Sequence, residues 1–341
     1  MKMEFEKLKD EPRLLLEAEL KPLQGTRFQP TGFPDIGAAT YQTVEEKPML
    51  LVESAQSMAN RMEAVCWDAS TNSLPKELSG LPYISVVDET GRALTSSLLE
   101  SHRINSPYIL ESGDTTFFEA LKKELGVLEK GRVDMKLLAK TLFKYDPNSL
   151  LHGVFLAKKE LAGGRLRVPR SLSAFIEASD VKLAASGGVK RDDVNPSGNT
   201  KAGFGHVPFA RDEYTGRIKA SFNIDLAQIR GYGLGKDAEQ LLIALSLYKI
   251  QKVLREGLRL RTACDLETQG NLTVGKHSEF KMPSLEKLGE ELPKLIAKCS
   301  KEFADPTVTV VKYVERKASK SKKGDEDDSV DETGGNSGEG E

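Results

Sequence analysis

FNIDLAQIRGYGLG, residues 222–235, reads as a strand that runs into a loop with Gly231, Gly233 and Gly235 at every second position. A helix is predicted to follow from Asp237, with Gln240 three residues on and Gly257 at its end. Glycine has no Cβ to hold a ligand away, so such a loop brings backbone N–H groups close to a phosphate. The N-terminus of the following helix adds partial positive charge. Arg230 and Tyr232 stand between the bare amides. An ordinary strand-to-helix turn has the same glycine content, so the rest of the chain must separate the two readings.

Working outward, LRLRTACDL at 258–266 alternates Arg259 and Arg261 out of an apolar run, and RLRVPR at 165–170 does the same with Arg165 and Arg167. Alternate residues of a strand share a face. Residues 186–221 carry turn signals at Gly187-Gly188, Asn195-Pro196, Gly198-Asn199 and Gly203, which predicts a protruding β-arm. Within it, GFGHVPF at 203–209 is close to the aromatic motif by which RRM sheets stack bases. Pro208 argues against a central strand, so Phe204, Val207 and Phe209 are placed on the arm, as an apolar wedge or as packing against the parent domain or another subunit. Residues 50–67 have apolar positions at 51, 55, 58, 62 and 65, the spacing of an amphipathic helix. Its other side carries Ser54, Gln56, Ser57, Asn60 and Arg61, hydrogen-bonding groups suited to a ligand backbone and unlike the usual Glu/Lys mixture. Strands are further predicted at 12–28, 83–87, 150–157 and 307–314, and helices near 95–102, 116–128, 134–144 and 284–303. Strands and helices alternate, with long insertions and no repeat.

With 341 residues, 39% of them hydrophobic, the chain is long enough for one large or two ordinary domains with a lean core. No window of eighteen apolar residues is present, and the start lacks a signal-peptide core. Cys66, Cys264 and Cys299 are odd in number and form no CxxC, so neither a disulfide framework nor a zinc site is expected and a reducing cytoplasm fits. Residues 325–341 hold eight acids and no base; without them a chain of formal charge −2 becomes +6. That tail, residues 315–341 overall, is expected to be disordered. His102, His152, His206 and His277 form no metal-ligand pair, and no GxSxG or GxxxxGK[ST] occurs. His152, in an apolar run, is expected to be a satisfied core or edge histidine. The 231–235 run is not the dinucleotide fingerprint, which needs GxGxxG. No metal, cofactor or catalytic residue is expected. The two Arg-alternating strands, the polar helix and the glycine loop together suggest a surface that tracks phosphates.

The chain resembles the backbone subunit of the CRISPR surveillance complex Cascade, in the type I-G (formerly I-U) branch of the RAMP superfamily. The segments that carry the resemblance are RFQPTGFPDIGAATYQ at 27–42, LLVESAQSMANRMEAVCWD at 50–68, TSSLLESHRINSPYI at 95–109, KYDPNSLLHGVFLA at 144–157, GGRLRVPRSLSAFIEA at 163–178 and SGGVKRDDVNP at 186–196, with the segments at 203–209, 222–235 and 257–266. The resemblance implies an α+β fold, a modified ferredoxin-like or RRM palm with helical finger insertions and a protruding β thumb. It divides the chain into palm with a guide-binding loop and helix (1–68), finger insertion (69–149), palm (150–185), thumb (186–221) and palm with the glycine-rich loop (222–314). It further implies a non-catalytic subunit that oligomerises along a guide RNA (crRNA), holds its backbone and presents its bases to target DNA.

The partners implied are crRNA, target DNA through the guide, further copies in a helical filament, a large subunit, a fused repeat-processing and cap subunit, and a recruited helicase-nuclease. Implied guide contacts begin with Ser54, Gln56, Ser57, Asn60 and Arg61. They continue with Arg27 and the loop residues Gln29, Thr31, Gly32 and Phe33, then Arg230, Gly231, Tyr232 and Gly233. Phe204, Val207 and Phe209 are thumb candidates, and Arg165, Arg167 and Lys190 complete the set. Asp35 lies where type III relatives carry a cutting acid and is not assigned that role. Two other readings stay open: a metal-independent endoribonuclease that processes the guide precursor with His206 or Tyr232 as base, and a scaffold whose arginines pair with acids on a partner.

Overall fold

Alternation builds the first strand. In RLLLEAELKP, Leu14, Leu16, Ala18 and Leu20 point one way and are buried, while Leu15, Glu17, Glu19 and Lys21 point the other. The computed structural model describes residues 4–33, 37–126, 132–275 and 280–315. Its strands in chain order are β1 Arg13–Pro22, β2 Gly32–Phe33, β3 Gly37–Ala38, β4 Thr40–Gln42, β5 Pro48–Glu53, β6 Tyr83–Val87, β7 Ala93–Ser96, β8 Val154–Leu156, β9 Leu166–Val168, β10 Leu172–Lys190, β11 Val207–Asp225, β12 Arg259–Arg261, β13 Cys264–Thr268, β14 Thr273–Val274 and β15 Val308–Lys312. Its helices are α1 Ala55–Ala64, α2 Pro107–Leu110, α3 Thr116–Leu125, α4 Met135–Tyr145, α5 Pro147–His152, α6 Leu226–Gly231, α7 Lys236–Glu256 and α8 Leu285–Cys299.

The central sheet runs β12-β13-β1-β11-β10-β5-β4, with every pairing antiparallel. One of its faces carries the apolar residues of β1, β10 (Leu172, Ala174, Ile176, Ala178) and β11 (Ile218, Ala220, Phe222, Ile224). Helices α1 and α7 cover this face, and α8 covers α7. That position explains why α7 is buried on more than one side, at Leu241, Leu242, Ala244, Leu245, Leu247, Tyr248 and Ile250. The opposite face is open, with Leu15 and Phe175 exposed beside a charged group in which Lys219 stands between Glu17 and Glu19 at 3.0 and 3.4 Å. Beyond Ala178 and Ile218, β10 and β11 continue as a two-stranded ribbon to the pair Lys190–Val207. A register shift between Ser179 and Lys182, with Asp180 at φ +54°, marks where the ribbon leaves the sheet.

Several sequence expectations are corrected. The predicted helix over 50–67 is a strand followed by a shorter helix, because 48–53 pairs with β10 and helix starts only after the cap residue Ser54. The predicted strand at 150–157 begins as helix: Asp146 caps it, its carboxylate accepting the Asn148 N–H, and Pro147 occupies the first turn. The predicted strand at 258–266 breaks at Thr262-Ala263 into the hairpin β12–β13. The segment 95–102 holds the end of β7 and turns in place of a helix. Strand β15 pairs in parallel with β6, in a separate sheet of order β15-β6-β7. The segment 83–87, and the helices near 116–128, 134–144 and 284–303, fold as expected within a few residues.

Candidate nucleic-acid interface

Where β5 passes into α1, the chain buries a carboxylate. Glu53 is the last residue of β5, and its side chain is 1% exposed. Its Oε1 accepts from the Ser57 hydroxyl and from Arg61 Nε at 2.8 Å. Its Oε2 accepts from Arg261 Nη2 at 2.6 Å and lies 3.4 Å from Thr31 Oγ1. The second nitrogen of each arginine ends on backbone: Arg61 Nη2 on Leu260 O at 2.8 Å and Arg261 Nη1 on Gln29 O at 2.9 Å. Burial pushes the Glu53 carboxyl up, but the Ser57 hydrogen bond and the two arginines outweigh it and hold the pKa below its ordinary value. One carboxylate therefore fixes two guanidinium groups and leaves a local excess of one positive charge.

Loop 23–31 is fastened over this cluster. Phe28 is fully buried and exchanges backbone hydrogen bonds with Tyr214 of the ribbon at 2.9 and 2.8 Å. The Gln29 N–H donates to Ala263 O at 2.7 Å. The loop thus joins the ribbon base to the β12–β13 turn. Arg27, on the outer side, faces Glu213 at 3.5 Å and lines a cleft of about 390 Å³ with Arg259, Thr262 and Asp265.

The structure brings Gln29, Thr31, Ser57 and Arg61 together directly, with Gly32 and Phe33 next along in β2. Gln56 and Asn60 are exposed on α1. The Ser54 hydroxyl is used locally, accepting the Ser57 N–H at 3.3 Å as the helix cap. Ser54→Ala is expected to cost about 1 kcal/mol, read as a shift of the urea midpoint; no shift would mean that the cap is not stabilising. Asp35 and His277 lie outside the described residues.

The glycine loop lies at the other end of β1. Arg13 pairs with Asp225 there, whereas the Glu53 cluster sits towards Pro22. The strand expected over 222–235 stops at Asp225, whose carboxylate caps α6 by accepting the Gln228 N–H at 2.8 Å. Leu226 and Ile229 bury the inner side of that short helix. Arg230 turns back onto the N-terminal segment, donating to Leu8 O at 3.4 Å and Glu11 O at 2.7 Å. Tyr232 is buried, and its hydroxyl donates to Leu150 O at 2.8 Å. Gly231, Gly233 and Gly235 are exposed. The φ values of Gly233 and Gly235, +65° and +93°, explain the glycines there. Lys136 of α4 lies along Gly233, its Cε 3.5 Å from where a Cβ would stand. Helix α7 begins one residue before the expected Asp237 and has no side-chain cap.

Arg165 and Arg167 are exposed on either side of Leu166; Arg165 Nε donates to Ala162 O at 2.8 Å, and Arg167 stacks over Phe155 at 4.9 Å. Lys190 and Val207 form the last pair of the ribbon. Phe209 packs on Gly188, with Arg211 over its ring at 5.3 Å, while Phe204 is exposed near the tip. The tip is organised by Asp192, which accepts from the backbone N–H groups of Val194, Asn195 and Gly205. These bonds hold its pKa below the ordinary value, those of Asn195 and Gly205 most of all. His206 Nδ1 accepts the Asp192 N–H at 3.0 Å. Of the two residues named for the alternative reading, His206 is exposed and Tyr232 is buried. Among the described residues no group of three or more His, Cys, Asp or Glu is arranged to hold a metal ion.

Sequence reasoning missed Glu53 and Lys136 and placed Arg261 only on an alternating strand. The Arg259/Arg261 alternation was the available signal for Arg261. No spacing rule links Glu53 to residues 208 positions away.

Residues 14–183 match the family model described as CRISPR-associated protein GSU0053. That match begins in β1 and ends inside β10, so it contains Thr31, Glu53, Ser57 and Arg61 but neither Arg261 nor the glycine loop. No curated protein matches the chain. Among solved structures, a chain of a "CRISPR RNA-guided surveillance complex, pre-nicking" is similar at 13% identity and TM-score 0.41, over 75% of this chain and 76% of that one. Csc2 of Thermofilum pendens is similar at 13% identity and TM-score 0.32, over 87% of this chain and 79% of its own.

Proposed function

We propose that this chain is a non-catalytic backbone subunit of a type I CRISPR RNA-guided surveillance complex, of subtype I-G. It binds crRNA through the sugar-phosphate chain, assembles in copies along it, and leaves the bases free to pair with target DNA. Its other partners in this reading are the large subunit, the repeat-processing and cap subunit, and a recruited helicase-nuclease. One observation carries the reading: the stretch that matches a CRISPR-associated family includes Arg61, a half-buried arginine held in a fixed orientation at the base of a long ribbon. The sheet order β13-β1-β11-β10, with α1 between β1 and β10 in sequence and α7 between β11 and β13, supports a ferredoxin-like palm. The ribbon supports a thumb.

The chain co-expressed with guides of graded length is expected to give particles whose native mass rises in constant steps. Scrambling the spacer sequence should leave affinity unchanged, because backbone contacts carry no sequence information. A protein that stays monomeric and RNA-free beside its guide would overturn the reading.

A further inference from the structure

We propose that Arg61 and Arg261, both locked on the buried carboxylate of Glu53, form a two-guanidinium clamp for one phosphodiester of single-stranded RNA, with Glu53 as its positioning residue. The proposal rests on the RNA-binding reading above and names the ligand chemistry of one site within it.

The geometry separates inward from outward donors. A guanidinium carries five N–H groups in a rigid plane. Arg61 commits two donors, one to Glu53 and one to Leu260 O. Arg261 commits three, to Glu53, Thr31 and Gln29 O. The remaining donors belong to side chains that are 24% and 23% exposed, while the carboxylate between them is 1% exposed. The acid is therefore screened from solvent and the arginines are not. An anion at this surface meets two oriented forks and no exposed negative charge from Glu53.

The supports come from three separate parts of the chain: the first two turns of α1, the β12 strand and loop 23–31. Each guanidinium is held by a carbonyl as well as the carboxylate, so its plane is set before a ligand arrives. Preorganised planar donors suit a phosphodiester, whose two free oxygens accept paired N–H groups. A structural ion pair would need only one arginine. The second leaves the cluster with net positive charge at a half-exposed position, which a purely internal role does not require. Gln56 and Asn60 flank the site on the exposed side of α1 and extend the polar track.

The test is titration of the full-length chain with a fluorescent single-stranded RNA of arbitrary sequence, read by anisotropy over a salt series. Arg261→Lys keeps the charge but loses the fork, and is expected to weaken binding about tenfold. Glu53→Gln makes the site more positive, so attraction by charge alone predicts tighter binding; the clamp predicts binding about tenfold weaker. Thermal melting of each variant checks folding, and if Glu53→Gln does not fold, Arg261→Lys and Thr31→Val decide. Wild-type affinity in Arg261→Lys, or a gain in Glu53→Gln, overturns the clamp while leaving the RNA reading intact. Failure of the wild-type chain to bind any RNA overturns both.

Discussion

Glu63→Ala is expected to destabilise the fold by about 3–5 kcal/mol, the range for removing one partner of a buried ion pair. Glu63 lies on the inner side of α1, opposite the candidate interface, and its side chain is 2% exposed. Both of its oxygens accept from Arg103, Nε and Nη2, at 2.7 Å, and Oε1 also accepts from Asn148 Nδ2. Lys249 of α7 donates to Asn148 Oδ1 at 2.6 Å and to Met62 O at 3.4 Å. Removing the carboxylate leaves two buried cations with Asp146 as the nearby acid, and burial disfavours ionisation of Asp146 itself. The urea midpoint of the variant measures the loss, and a change below about 1 kcal/mol would refute the argument. The double replacement Glu63→Met with Arg103→Met removes one of the two cations together with the carboxylate, and should recover part of the stability, with Lys249 left as the buried cation beside Asp146. Binding of RNA by the double variant should remain near wild type, since the network faces away from Arg61.

The ion networks on the two sides of α1 show what the sequence could and could not reveal. Apolar periodicity is a local property, so β1, α3, α4 and α8 were legible from their own residues. Boundaries failed where a local pattern was shared between two structures. LLVESAQSMANR contains helical spacing throughout, yet its first part pairs with β10 because the adjoining edge of the sheet needs a partner. The glycine loop is a strand-to-helix passage, as its sequence suggests, but α6 inside it has only a weak signal, a capping Asp225 followed by two apolar residues three apart.

Side-chain direction was harder still. Arg230 precedes Gly231 and Tyr232 stands between Gly231 and Gly233 in sequence, and the resemblance implies that both face a ligand. The turn of α6 sends both inward, one to the carbonyls of Leu8 and Glu11 and the other to that of Leu150. The polar side of the helix points to Arg61, but the residue that orients it, Glu53, lies on the preceding strand. The other arginine, Arg261, comes from the distant β12. Such a cluster is defined by tertiary contact, which no single-segment pattern encodes. Lys136 was invisible for the same reason: it reaches Gly233 from α4.

The pH dependence of stability is expected to hide two opposing titrations that single variants expose. His152 is buried in α5, and burial, then the charges of Lys249, Arg103 and Arg170, hold its pKa well below the usual 6.5. The unfolded chain takes up that proton below pH 6.5 and the native state does not, so this group removes stability as pH falls. Asp146 behaves in the opposite way. Burial raises its pKa from 3.8 to about 6, the Ser149 hydrogen bond opposes this, Glu63 adds to it, and Arg103 and Lys249 oppose it. Between about pH 6 and 3.8 the native state holds a proton that the unfolded chain lacks, so this group adds stability as pH falls. Each slope approaches 1.4 kcal/mol per pH unit, and in the wild type the two oppose each other below about pH 6, until about pH 4.5, where the unfolded chain begins to take up protons on Glu53 and other carboxylates that the native state keeps ionised. His152→Leu should therefore gain stability relative to wild type as pH falls through that interval. Asp146→Asn should lose about 2 kcal/mol relative to wild type from about pH 6 to 4.5. Urea midpoints at several pH values across it give both slopes, and two variants that each reproduce the wild-type profile would show that neither group titrates as its surroundings require.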